Sequence, residues 1–422
     1  MRTLYTLAAY LLAPLYCAVL LWRGLRERGY WQHFAERFGR GTRLTRPAVW
    51  VHAASAGEVQ ACVPLIADLR GQRADVPIVL TTTTPAGAAR GRALLAQQGV
   101  DVRHVPLDLP GAVRRFFVRV QPRLAIVLET EIWPNLFARC ARDGVPLVLA
   151  SARLSARSLP RYRLVAGLTR RTLAHCRLIA AQTRDDATRF IALGAAPARV
   201  EVLGNLKFDF DMPAGTAARG EALRARYAPE RALWVAGSTH EGEEEAALAA
   251  HRQLRAAHAT ALMVLAPRHP QRFADVAARL ARGGTRFVRR SSGAPCEADT
   301  EVLLLDGLGE LIDFYAAADV AFVGGSLVPI GGHNLLEPAA LGVPVLTGPY
   351  NANGRDVLQL LLERGAARVI HDAGELGAEL ARLVASPEAR ERMAGSARAV
   401  VEENRGAAAR LAGALRPLIA SA

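Results

Sequence analysis

Apolar runs separated by stretches of helical length organise most of the chain. Runs at 48–52, 78–82, 124–128, 146–150, 178–181 and 200–203 are nearly continuous in apolar residues rather than alternating. That pattern predicts strands buried on both faces of a parallel sheet. The intervening stretches 85–98, 133–142 and 184–193 predict helices. The segment DFDMPAGTAARGEALRARYAPE at 209–230 breaks the rhythm with Gly, Pro and charge, which places an interdomain linker at 211–230. A second series opens at 231–239 and continues at 261–266, 286–289, 301–305, 319–323, 343–347 and 367–371, and residues 387–418 predict a closing helix. Strands alternating with helices imply α/β layers, so the expected domains are 29–210 and 231–422, with ligands at the carboxyl ends of strands.

Residues 3–22 carry no charge and match the length of a bilayer-crossing helix. Tyr5, Tyr10, Tyr16 and Trp22 suit a headgroup boundary, and Arg23, Arg26 and Arg28 follow. This predicts a membrane anchor over 1–28 with the body on the cytoplasmic side, either spanning the bilayer or lying in its interface. A signal peptide would place its charges before the apolar run, where only Arg2 stands. Pro14 would kink any helix here.

Composition sharpens the picture. The 422 residues are 51% hydrophobic with a formal net charge of +14, which describes a folded chain that favours anionic partners. There is no basic low-complexity tail, zinc-finger spacing or aromatic RNA-binding signature, so nucleic acid is not an expected partner. Five scattered cysteines without a C-x-x-C pair argue against a disulfide scaffold or a zinc site. Oligomeric state is not readable.

Several motifs could carry chemistry. VWVHAASAGEV at 49–59 runs from a strand through small residues to Glu58 at a helix start, where a carboxylate could act as a base or merely complement the helix dipole. LAIVLETEIWPNL at 124–136 ends a strand in Glu129 and Glu131, which share one face if the strand persists. VLGNLKFDFD at 202–211 holds Lys207, the chain's single lysine among 53 Lys and Arg. A compact ammonium there differs from the planar guanidinium used elsewhere. Asp209 and Asp211 spell D-x-D, a spacing too common to imply a metal. AGSTHEGEEE at 236–245 and LAPRHPQRF at 265–273 suit anion contacts through Gly237, Ser238, Thr239, Arg268 and His269. DGLGELIDF from 306 offers amides at Gly309 and Glu310. GGHNLLEPAALGVPVLTGP at 331–349 is a glycine-rich loop, then a helix carrying Asn334 and Glu337, able to hold a ribose, then a strand.

The last pattern resembles the nucleotide-sugar motif of two-Rossmann-domain glycosyltransferases of the GT-B type. YWQHFAERFG, HAASAGEV, TTTTPAG, ETEIWPN, SARLS, GNLKFD, GSTHEGEE, PRHPQRF and GGHNLLEP occur in that order. Together they resemble the bacterial 3-deoxy-D-manno-octulosonic acid (Kdo) transferases over nearly the whole chain. The resemblance implies a GT-B fold, with parallel sheets facing a central cleft and a hydrophobic N-terminal anchor at the inner membrane and its anionic lipids. It implies CMP-Kdo as donor and the tetra-acylated lipid A precursor as acceptor. It also implies inversion at the anomeric carbon, with no further cofactor or metal. By the same resemblance Glu58 is the base, and Glu129 and Lys207 stabilise the transition state. CMP contacts fall on Pro267, Arg268, Leu308, Gly309, Glu310, Asn334, Leu335, Leu336 and Glu337. Rival expectations are a UDP-sugar 2-epimerase of the same fold and a non-catalytic membrane scaffold.

Overall fold

The computed structural model describes residues 1–420, which contain two seven-stranded parallel sheets. The first comprises β1 (Ala48–His52), β2 (Ile78–Thr82), β3 (Asp101–His104), β4 (Pro122–Leu128), β5 (Leu147–Ala152), β6 (Leu178–Ala181) and β7 (Val200–Val202), in the order β3-β2-β1-β4-β5-β6-β7. The second comprises β8 (Leu233–Thr239), β9 (Leu262–Pro267), β10 (Phe287–Arg289), β11 (Val302–Leu304), β12 (Val320–Val323), β13 (Val345–Thr347) and β14 (Ala367–Val369), in the order β10-β11-β9-β8-β12-β13-β14. The direction of winding reverses between β1 and β4 in one sheet and between β8 and β12 in the other. The connections leave those neighbouring strands in opposite directions, which opens a crevice at their carboxyl ends.

The apolar runs form strands because both sheet faces are covered. Val49, Val51, Leu124 and Ile126 pack in one cluster, while Trp50, Ala125 and Val127 pack on the other face with Phe116 and Phe117. The exception is β3, whose sequence DVRH carries little apolar signal. It is an edge strand, with a partner on one side only, and its pattern did not predict it.

Two expectations about boundaries are corrected. The chain divides into one unit of Met1–Phe210 with the residues from Asn404 on, and a second of Asp211–Glu403. The expected linker at 211–230 holds the helix Thr216–Tyr227, an element of the second unit. Arg219 grips Asp313 with two hydrogen bonds of 2.8 and 3.0 Å. A Cβ on Gly220 would stand 2.5 Å from that of Ala316, so this glycine is a packing contact rather than a breaker. The expected closing helix is two helices, Pro387–Asn404 and Ala407–Ala420, broken at Gly406 with φ +87°. The second returns to the first unit, where Leu411, Leu415 and Ile419 join the core beside Leu65 and Ile66. Asp209 secures its start by accepting hydrogen bonds from the amides of Gly406 (2.5 Å) and Ala408.

The N-terminal apolar stretch is one helix, Arg2–Arg26, long and apolar enough to cross a membrane. It lies along the first unit. The Tyr5 hydroxyl bonds Asp108, the Thr6 hydroxyl donates to Asn135 Oδ1 (2.9 Å), and Trp31 Nε1 donates back to the Leu21 carbonyl (2.9 Å). The inward face carries mostly small residues, Ala9, Ala13, Cys17 and Gly24, which allow close approach. Leu4, Leu7, Leu11, Leu15, Trp22 and Leu25 form an exposed stripe on the other side.

Candidate active site

In the first unit, the crevice between β1 and β4 gathers three of the expected residues. Ser55 caps the helix Ala56–Gln72, its hydroxyl accepting from the Glu58 amide. The Glu58 carboxylate turns back to accept from the Ala54 amide (2.9 Å) and the Ser55 hydroxyl (2.8 Å). Burial and the neighbouring Glu129 carboxylate push its pKa up, against the hydrogen bonds that favour its charge. Each carboxylate oxygen has a second lone pair, so capping and proton acceptance are compatible.

Glu129 follows β4 directly. The strand does not persist, and Glu129 adopts φ +55°. This left-handed conformation is costly for a residue with a Cβ and recurs at functional sites. It separates Glu129 from Glu131, contrary to the expectation of one shared face. Glu129 Oε1 meets Lys207 Nζ at 2.9 Å. Glu131 accepts from Trp133 Nε1 (3.0 Å) and lies 3.7 Å from His52 Nε2.

Lys207 sits in a short 3-10 turn, Leu206–Phe208, capped by Asn205. Ser151, also left-handed at φ +47°, accepts the Leu206 amide (3.3 Å) and the Gln182 side-chain amide (3.2 Å). The loop bearing Lys207 is therefore fixed from β5 and from the residue after β6. Neither Gln182 nor His52 was predicted; the contacts that reveal them lie far apart in sequence.

In the second unit, the expected contact residues lie along one carboxyl edge. Pro267 ends β9 and is buried, while Arg268 after it is exposed. Leu308 and Gly309 follow β11 and are exposed. Glu310 stands at the start of the helix Leu311–Ala317, and its carboxylate accepts from Arg290 Nη2 at 2.7 Å. After β12, the loop passes Gly324, Gly325, Gly331 and Gly332 to Asn334, which is exposed. Asn334 Oδ1 accepts the Leu336 amide (3.1 Å), and its amide donates to Glu337 Oε1 (3.0 Å). Asn334 thus precedes the helix Leu336–Ala340 rather than riding on it. Leu335 and Leu336 are buried, so their side chains serve the core and only their backbone can face a ligand.

The residue that shapes this loop was not predicted. Glu243, fully buried, accepts from the amides of His240 (2.9 Å), Gly325 (2.6 Å), Ser326 (2.9 Å) and Leu327 (2.9 Å). A run of acids opening a helix reads as ordinary dipole complementation, and nothing in HEGEEE says which one turns inward. Gly325 (φ +68°) must be glycine, because a Cβ there would also stand 2.8 Å from the His333 ring.

Two parallel sheets with these strand orders, each presenting polar groups at its reversal crevice, define a protein of the GT-B fold. The putative UDP-N-acetylglucosamine 2-epimerase of Listeria monocytogenes shares the fold with a TM-score of 0.55, over 87% of this chain and 95% of that one. At 16% identity this speaks to the fold alone. The family model "3-Deoxy-D-manno-octulosonic-acid transferase (kdotransferase)" matches residues 32–210. The 3-deoxy-D-manno-octulosonic acid transferase of Haemophilus influenzae is 38% identical, with 99% of both chains covered. That of Bordetella pertussis is 40% identical, with 98% of both chains covered. The chain belongs to the 3-deoxy-D-manno-octulosonic acid transferase family.

Proposed function

We propose that the enzyme transfers Kdo from CMP-Kdo to the lipid A precursor lipid IVA, with Glu58 as general base. The observation that carries this reading is the grouping of Glu58 with the Glu129–Lys207 ion pair at the β1/β4 crevice. A carboxylate with a raised pKa is a stronger base than an ordinary one. Glu58 takes the proton of an acceptor hydroxyl as that oxygen bonds the anomeric carbon. The bond from that carbon to the CMP phosphate oxygen breaks, its electron pair leaves with CMP, and the centre inverts. Glu129 offsets cationic character at the anomeric carbon, and Lys207 and Arg268 supply positive charge. In the second unit, Pro267, Arg268, residues 308–310, and the backbone and polar side chains of 334–337 hold the nucleotide.

The helix Arg2–Arg26 is proposed to lie in the cytoplasmic face of the inner membrane, near a lipid-embedded acceptor. Contacts with the first unit along its length support an in-plane anchor over a spanning one, and its exposed leucine stripe suits the acyl region. Arg23, Arg26 and Arg28 face anionic headgroups in this arrangement.

The test is incubation with CMP-Kdo and the tetra-acylated precursor, with mass spectrometry of the lipid, beside a parallel incubation with UDP-N-acetylglucosamine. A Kdo mass increment on the lipid is expected. Epimerised UDP-sugar with unmodified lipid would instead favour the epimerase reading.

A further inference from the structure

Three imidazoles converge at the carboxyl edge of the second sheet, from the segments after β8, β9 and β12. His240 Nε2 and His333 Nε2 are 2.9 Å apart, with ring planes within 7°. His269 meets His240 edge-on, at 5.3 Å between ring centroids. At 2.9 Å one of the two facing nitrogens must donate and the other accept, so the contact holds one proton and both rings cannot be cationic within it.

The surroundings are positive. Arg268 acts on both His240 and His333, and Arg272 acts on His240. The acid felt by His240 is Glu243, whose two oxygens already accept four backbone amides. Burial first, then Arg268 and the other two imidazoles, hold the His333 pKa down at about 4. Burial likewise lowers His240. Among the described residues no His, Cys, Asp and Glu group is arranged to hold a metal. Burial and the neighbouring arginine disfavour charge on the imidazole pair, which lies beside a loop whose shape Glu243 dictates. An anionic oxygen ligand would favour a second proton on the pair and accept a hydrogen bond from the ring nitrogen that carries it.

We infer that His240, His269 and His333, with Arg268, form the subsite for the carboxylate of the donor sugar acid, and that the imidazole pair takes up a proton from solvent when the carboxylate binds. This rests on the transferase reading above, since Kdo carries a carboxylate on its anomeric carbon and CMP alone does not.

Two measurements test it. Titration calorimetry of the unaltered enzyme in buffers of different ionisation enthalpy, near neutral pH, should show more proton uptake with CMP-Kdo than with CMP. Equal uptake overturns the subsite. In His333→Gln, the KM for CMP-Kdo should rise about tenfold or more, as for loss of one charge-assisted hydrogen bond, while inhibition by CMP stays within about twofold. An equal rise in both constants, or in neither, overturns the assignment. If the unaltered enzyme makes no product from CMP-Kdo, the donor assignment fails first and the subsite with it.

Discussion

Lys207 Nζ stands 2.9 Å from Glu129 Oε1, with more than four-fifths of each side chain buried. The pair lies close enough to Glu58 for the Glu129 charge to raise the Glu58 pKa. The ion pair is therefore an electrostatic control on the proposed base. Glu129→Gln removes a negative charge and leaves Lys207 nearer to acting alone, so the Glu58 pKa should fall. Lys207→Gln bares Glu129 and should raise it. In pH–rate profiles of the residual activity, the acid limb should move to lower pH in the first variant and to higher pH in the second. Movement in the same direction in both would contradict this electrostatic relation.

Glu58→Gln should lower kcat by about 10²- to 10⁴-fold, the usual worth of a positioned base, with the fold retained. The sign of its stability effect also follows. Folding raises the Glu58 pKa, so its ionisation costs stability, and that cost appears as pH rises through the folded value. The stability of the variant relative to the parent should therefore increase as pH rises from the ordinary Glu range, about 4.3, through the raised folded value, as read by urea denaturation.

Glu243→Ala leaves four amides, those of Gly325 and Ser326 buried, without their shared acceptor. A loss of about 3 kcal/mol or more is expected in denaturant unfolding, since hydrogen bonds to a charged group are worth about 1.5–3 kcal/mol each and do not add. Gly325→Ala should cost about 1–2 kcal/mol for its left-handed backbone alone. It should also weaken donor binding by displacing His333. A neutral effect in either variant would mean that the loop can reshape.

The proposed anchoring role of the helix Arg2–Arg26 makes a topological prediction. A tag placed before Met1 should be reached by protease only from the cytoplasmic side of membrane vesicles, because the helix runs along the first unit. Protection from that side, with access from the other, would establish a spanning helix. Removal of the helix should release the enzyme from vesicles and expose Asp108 and Asn135, which now bond Tyr5 and Thr6.

Legibility followed apolar composition. Thirteen of the fourteen strands coincide with apolar runs; the central ones, such as β1 and β4, are apolar because both faces are covered. The edge strands β7 and β10 kept an apolar signal although they are only partly buried, whereas β3, DVRH, lacked one. The boundary errors share one cause. Ala- and Arg-rich segments at 216–227 and 407–420 look alike and uncommitted in sequence, and which unit each joins depends on remote partners, Asp313 for one and the Leu65 cluster for the other.

Periodicity and motif order thus determined two parallel α/β layers, an apolar leading helix and the particular acids and lysine to be considered, since those depend on local composition. Tertiary structure alone decided that Glu129 turns away from Glu131 to meet Lys207, and that Asp209 caps a helix almost two hundred residues onward. It also decided that Glu243 turns inward under the glycine loop and that three histidines meet. The physical reason is that electrostatics and hydrogen bonding act over a few ångströms of space. The strands that bring these groups within that range are neighbours in the sheet, not in the chain.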